Sequence, residues 1–184
     1  MNQVGLAALM VLMLMPCTAR AAGEESDDIQ MIRDLLIERL ALMEQVAAYK
    51  WNAQRPIDDP VREANVLKAS MARARAAGLD PNVAKRFITA QMEAAKIVQR
   101  HFFAIWREAE PVDISEPPDL VTELRPKIGA LSGALIEAVA NQSAELESCS
   151  AAQVLRPVPS ELQPVPEAWT LAVSGVLDAD AACR

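Results

Sequence analysis

Arg39 and Lys50 fall where a helix should bury apolar surface. At about 100° per residue, Ile29, Ile32, Leu36, Met43 and Ala47 form one stripe of a helix from Ile29 to Lys50. Both cations share that stripe. Eleven positions separate them, which is three turns to within about 20° and roughly 16 Å along the axis. Long charged side chains are seldom buried without a partner that satisfies them. A small dianion held between the guanidinium and the ammonium would be such a partner.

Gln99 repeats the oddity on another helix. Ile88, Met92, Ala95, Phe102 and Trp106 make an apolar stripe at helical spacing, and Gln99 lies in its middle. Lys85, Arg86, Glu93, Lys96, Arg100 and Arg107 project elsewhere, as a solvated face should. Glu63 shares a stripe with Leu67, Met71 and Ala74, while Arg62 points to one side near its helix start. Each polar residue also has an ordinary structural reading. Arg39 could snorkel, or pair with Glu38 or Glu63. Lys50 could complement a helix C-terminus, Gln99 could be a satisfied core amide, and Glu63 could salt-bridge to a neighbour. His101 and the cluster of Phe102, Phe103 and Trp106 read as ordinary core and surface. One pocket that neutralises several of these groups at once favours the functional reading.

The elements that must hold these residues are helices. No strand-like alternation of any length appears, there are six glycines, and alanine, leucine, glutamate and methionine dominate. The first helix is expected from about Ser26 to Trp51, and Gln54 to Pro60 is a loop broken by Pro56 and Pro60. Asp59-Pro60 reads as N-cap and N1 of a second helix that runs to about Ala77 and stops at Gly78. Asp80-Pro81 repeats that signal and opens a third helix to about Ala109. After the proline-rich link Pro111 to Pro118, a fourth helix covers about Asp119 to Ser148, with Pro126 near its first turns. Val154 to Pro166 is again proline-rich, and a short helix from Glu167 to about Ala182 closes the chain. The fold class is therefore all-α. A single domain of about five to six helices surrounds a buried polar site, with no β-sheet.

Residues 1–22 read as an export signal. Val4 to Met15 is almost wholly apolar, Pro16 breaks the run, and Ala19-Arg20-Ala21 fits an A-x-A cleavage site. The run is too short to span a bilayer. Lipid attachment at Cys17 and a retained anchor are the other readings. Cleavage leaves residues 23–184, with the helices that carry the inward polar residues in 23–110 and a C-terminal helical part, 119–184, closing the site. The whole chain of 184 residues carries a net charge of −7, and loss of Arg20 makes it −8. Such an acidic surface argues against nucleic acid and against anionic membranes as partners, so any anion site must be a local pocket of cations. Cys149 and Cys183 remain after cleavage, and an even count in an exported chain suggests a disulfide. Closing that loop is worth roughly 4 kcal/mol in the chain-entropy picture; two buried free thiols are the alternative. With one histidine and no Cys-x-x-Cys pair, no metal site is expected.

Taken together, these segments resemble the all-helical chorismate mutases, specifically their exported (gamma) subclass. The resemblance rests on Glu38-Arg39-Leu40, on Tyr49-Lys50-Trp51-Asn52-Ala53-Gln54, and on Pro56-Ile57-Asp58-Asp59-Pro60-Val61-Arg62-Glu63. It continues through Leu79-Asp80-Pro81 into Gln91 to Trp106, and takes in Pro117-Pro118-Asp119-Leu120 and the two cysteines. It implies that Arg39 holds a substrate carboxylate, and that Lys50 bonds the ether oxygen and a carboxylate. Arg62 matches a further carboxylate-side arginine, while Asp59 and Glu63 match positions near the substrate hydroxyl. Gln99 matches a second donor to the ether oxygen. Arg125 matches the fourth-helix arginine that completes the pocket from within the same chain. Ala95 stands where members often carry serine or threonine.

The implied reaction is the Claisen rearrangement of chorismate to prephenate, which serves aromatic amino acid biosynthesis and needs no nucleophile, metal or cofactor. The absence of a Ser, Cys or His catalytic constellation agrees with that. The resemblance further implies a homodimer in the periplasm or outside the cell, with no membrane partner after cleavage. The competing reading is a non-catalytic periplasmic helical binding protein on the same scaffold. A bifunctional enzyme is disfavoured, because nothing outside the helices could hold a second active site.

Overall fold

The computed structural model describes residues 22–109 and 114–177. The segment 1–21 and Cys183 lie outside the described residues, as does part of the first proline-rich link. Six α-helices make up the described residues, and no strand occurs among them. They are α1 (Ala22–Asn52), α2 (Pro60–Ala76), α3 (Pro81–Glu108), α4 (Arg125–Asn141), α5 (Cys149–Leu155) and α6 (Pro166–Ser174). The protein is all-α. Among the described residues, no helix is long and apolar enough to cross a membrane.

Helix α1 is the central post. It packs against α3 on one side and α4 on the other, α2 bridges α3 and α4, and α5 and α6 cover the remaining faces of α1 and α3. The stripe of α1 is buried as its spacing requires: Ile32, Leu36, Leu40 and Ala47 are all buried, together with Ile29 and Met43. All but Ala47 meet Phe87, Ile88 and Val98 of α3 and Leu135, Ile136 and Val139 of α4 in one core, while Ala47 packs in a smaller cluster with Ala48 and Trp106. Trp169 of α6 is fully buried in the same core, and its indole N–H is satisfied by the Leu155 carbonyl at 3.0 Å.

Local chemistry sets the helix ends. Asp59 caps α2 by accepting from the Arg62 amide at 3.0 Å, and Glu63 reaches back to the Asp59 amide at 3.0 Å. Two orphan donors at the helix start are thereby satisfied. Gly78, at φ +80°, takes the left-handed position after α2, and the Leu79 amide closes onto the Ala74 carbonyl at 3.0 Å. Asp80 caps α3 through the Asn82 and Val83 amides. Helix α1 ends the same way as α2 but without glycine: Gln54 has φ +50°, and the Arg55 amide bonds the Lys50 carbonyl at 2.7 Å.

The fourth and last helices depart from the sequence expectation. Leu120–Leu124 is a π-type turn ahead of α4 rather than regular α-helix. Pro126 has no amide hydrogen to give to the preceding turn, and the chain widens upstream of it. Helix α4 ends at Asn141, not Ser148: Asn141 and Ser143 are weak helix formers, and the Gln142 side chain bonds Asp28 of α1. Ser148 instead caps a helix the sequence reading missed, α5, by accepting from the Ala151 amide at 3.1 Å. Helix α6 ends at Ser174, where the expectation ran to about Ala182.

Candidate active site

Arg39 is buried, 6% exposed, with its guanidinium inside the bundle. Its Nε donates to Ser132 Oγ of α4 at 3.2 Å, and Nη1 donates to the Gln91 carbonyl of α3 at 3.0 Å. Neither Glu38 nor Glu63 pairs with it, and among the described residues no carboxylate does. Burial without a counter-charge lowers its pKa to about 10. The ordinary reading of Arg39 as a paired interior arginine therefore fails.

At the other end of the stripe, Lys50 is half-buried. Its Nζ donates to the Ile57 carbonyl at 2.6 Å, which ties the loop after α1 back over the ammonium. Two of its hydrogens remain for other acceptors. Burial lowers the Lys50 pKa; Asp59, Asp58 and Glu63 pull the other way, and Arg125 adds to the lowering.

Gln99 lies across from them on α3, 4% exposed. Its Nε2 donates to the Ala95 carbonyl one turn earlier at 3.0 Å and touches Met43 Sδ at 3.7 Å. Turning the amide over would set two oxygens face to face, so the nitrogen belongs there. Gln99 Oε1 is buried with no hydrogen-bond partner. Ala95 lacks a side-chain donor, but its carbonyl fixes Gln99.

Beside them, Lys96 gathers three carboxylates: Glu93 at 2.6 Å, Glu63 at 3.1 Å and Asp58 at 3.4 Å. Arg100 holds Asp58 from the outside at 2.9 Å. Burial works to lower the Lys96 pKa, but the hydrogen bonds to Glu93 and Glu63 outweigh it and raise the value. Sequence reading placed Lys96 on a solvated face; it is instead the pin that fastens the start of α2 to α3.

Arg39, Lys50, Gln99, Lys96 and Glu63 line one cavity of about 510 Å³ between α1, α2, α3 and α4. Helix α2 and its N-cap contribute Asp59, Arg62, Glu63 and Arg73, and α4 contributes Arg125, Gly129, Ser132 and Gly133. Only Ala74 of α2 is buried, because the inward face of that helix borders a cavity rather than core. Arg39, Lys50, Arg62, Arg73 and Arg125 line the cavity, and among the described residues none of the five forms an ion pair. A local excess of unpaired cations on a chain of net charge −7 marks an anion site.

Comparison with known proteins agrees with that chemistry. The family model described as chorismate mutase type II matches residues 26–100. A monofunctional chorismate mutase of Enterobacter agglomerans is 32% identical over 130 residues, 70% of this chain and 71% of its own length.

The chain belongs to the chorismate mutase family.

A secreted chorismate mutase of Yersinia pestis is 36% identical over 65% of this chain and 62% of its own length. The chain spans about three fifths of the length of this relative and of a secreted chorismate mutase of Mycobacterium tuberculosis. Among solved structures, chorismate mutase from Burkholderia thailandensis superposes with a TM-score of 0.71 at 32% identity, covering 81% of this chain and 98% of that one. Set against this family, the cavity unites every pocket residue singled out from the sequence: Arg39, Lys50, Asp59, Arg62, Glu63, Ala95, Gln99 and Arg125. Arg125 comes from the same chain, on the first turn of α4 after the π-type turn. Sequence reasoning missed Arg73 and Gly133. Arg73 shares the face of Arg62, eleven positions earlier, but no apolar stripe surrounds it there, and the residue is exposed apart from the end that reaches the cavity wall.

Proposed function

We propose that this chain is an exported chorismate mutase, isomerising chorismate to prephenate by a [3,3] Claisen rearrangement. One observation carries the reading: five cations without carboxylate partners among the described residues face one cavity large enough for a small dicarboxylate. The reaction breaks the ether C–O bond and forms a C–C bond within one molecule, so nothing is lost or gained. Negative charge grows on the ether oxygen as that bond breaks. Donors fixed at that oxygen stabilise the transition state more than the bound substrate. Lys50 supplies one through its remaining hydrogens. Gln99 supplies the other: its second N–H meets only the Met43 thioether, a weak acceptor that an oxyanion displaces.

The guanidiniums do the holding. Arg39, with Arg62 and Arg125, grips the two carboxylates and fixes the substrate in its compact form, which limits the entropy lost at the barrier. Arg39 is oriented in advance by Ser132 and the Gln91 carbonyl. Asp59 and Glu63 lie toward the substrate hydroxyl. No cofactor takes part. The test is loss of chorismate absorbance with purified chain lacking residues 1–22. Turnover with one product, prephenate, is expected. A folded chain that leaves chorismate at its uncatalysed rate rules the proposal out.

The same reading places the protein in the periplasm or outside the cell, as relatives named secreted chorismate mutases suggest. Residues 1–22 would be removed on export, Cys149 and Cys183 would join in a disulfide, and the mature chain would pair as a homodimer. Fractionation with mass spectrometry of the mature N-terminus and of non-reduced peptides tests the first two, and sedimentation tests the third.

A further inference from the structure

Arg73 is the cavity-lining arginine that the reaction outlined above leaves without a task. It lies on α2 eleven positions beyond Arg62, three turns away, or roughly 16 Å along the axis. The residue is exposed, yet its guanidinium crosses from α2 to the wall of α4. A Cβ built on Gly133 would sit 1.8 Å from Arg73 Nη1 and 2.8 Å from Cζ. Position 133 must therefore lack a side chain for the guanidinium to rest there. A glycine in the interior of α4 weakens that helix relative to alanine, so the space has a cost in the helix itself.

The neighbouring residue carries a parallel arrangement. Ser132 receives Nε of Arg39 at 3.2 Å. Two guanidiniums thus reach α4 at consecutive residues, Arg39 from α1 and Arg73 from α2. Neither has a carboxylate partner among the described residues. Cations on one cavity wall with no counter-charge are relieved by a bound anion. We propose that Arg73 is a further substrate-binding residue, gripping a carboxylate of the dianion from the side between α2 and α4, and that Gly133 is the residue that seats it. The assignment rests on the dicarboxylate reading of the cavity. Arg73 lies near the end of α2 opposite the loop whose Ile57 carbonyl Lys50 bonds, so it acts on affinity rather than on the breaking bond.

The experiment compares wild type, Arg73→Ala, Arg73→Lys, Gly133→Ala and the Arg73→Ala/Gly133→Ala double variant in chorismate kinetics and thermal melting. Arg73→Ala should raise KM about tenfold, as loss of one charge-assisted contact does, with a smaller change in kcat. Arg73→Lys should recover part of the loss. Gly133→Ala should keep or raise Tm, because alanine suits a helix better, and yet raise KM by displacing the guanidinium. The double variant should then be no worse than Arg73→Ala alone. An unchanged KM in Arg73→Ala overturns the assignment, and so does full additivity of the two substitutions. Binding of isophthalate, a non-reacting dicarboxylate, followed by calorimetry, separates this from the catalytic proposal. Weaker isophthalate binding in Arg73→Ala supports the assignment even if chorismate is not turned over. Equal affinity in wild type and variant overturns it.

Discussion

Arg39 Nε reaches Ser132 Oγ at 3.2 Å across the interface of α1 and α4, and this neutral hydroxyl stands where a buried arginine ordinarily finds a carboxylate. The folded-state pKa, about 10, lies below the ordinary value. Folding therefore disfavours the charged form, at a cost on the order of 3 kcal/mol. That cost is present at every pH below about 10 and fades as the pH rises through the ordinary arginine range. A dianion bound beside Arg39 removes it. Arg39→Met should consequently leave Tm unchanged or higher while lowering kcat/KM by at least about a hundredfold. Calorimetric melting and initial rates check this together. A Tm several degrees lower would mean that the guanidinium supports the empty fold.

Lys50 acts at the reacting oxygen. Lys50→Ala should lower kcat by about 10²–10³ with a smaller rise in KM, the pattern of a donor felt chiefly in the transition state. Steady-state kinetics decide it, and an unchanged kcat removes Lys50 from the chemistry.

Gln99 is an amide and does not titrate, so activity should be nearly flat from about pH 5 to 8. Above that range it should fall as the cations deprotonate. Burial lowers the Lys50 pKa below its ordinary value, and Arg39 loses its proton near pH 10. Both groups work only when protonated, so the loss lies on the alkaline side. Gln99→Glu should move the optimum down, because a carboxyl donates only when protonated. Rates across the pH range test both statements; a wild-type optimum sharply below pH 5 contradicts them.

Lys96 neutralises Glu93, Glu63 and Asp58 at the cavity edge. Lys96→Met leaves that negative charge facing a site built for an anion. It should raise KM about tenfold and lower Tm by a few degrees, since the start of α2 loses its anchor on α3. Added salt should recover part of the KM, because it screens the repulsion. A variant with wild-type KM at low salt would show that the cluster has no influence on the cavity.

Much of the fold was legible because the signals were local. Asp59-Pro60 and Asp80-Pro81 start helices wherever the chain goes, since cap and proline satisfy or remove the first orphan amides within a few residues. The buried stripe of α1 and the inward position of Gln99 followed from rotation per residue alone. Where a proline sat inside a helix start, as at Pro126, the same logic gave a disturbance but not its form, a π-type turn.

The sequence by itself determined which face of each helix turns inward, that the inward face carries Arg39, Lys50 and Gln99, and that an acidic chain must keep its anion site local. Tertiary structure alone decided the partners. Periodicity places a side chain on a face, but it does not say which helix stands opposite or at what distance. Hence Arg39 finds Ser132 instead of a glutamate, Ala95 holds Gln99 through its backbone, Lys96 leaves the solvated face to pin three carboxylates, and Arg73 reaches the cavity over a glycine on another helix. Charge interactions depend on separations of a few ångström between residues far apart in the chain, and only packing sets those.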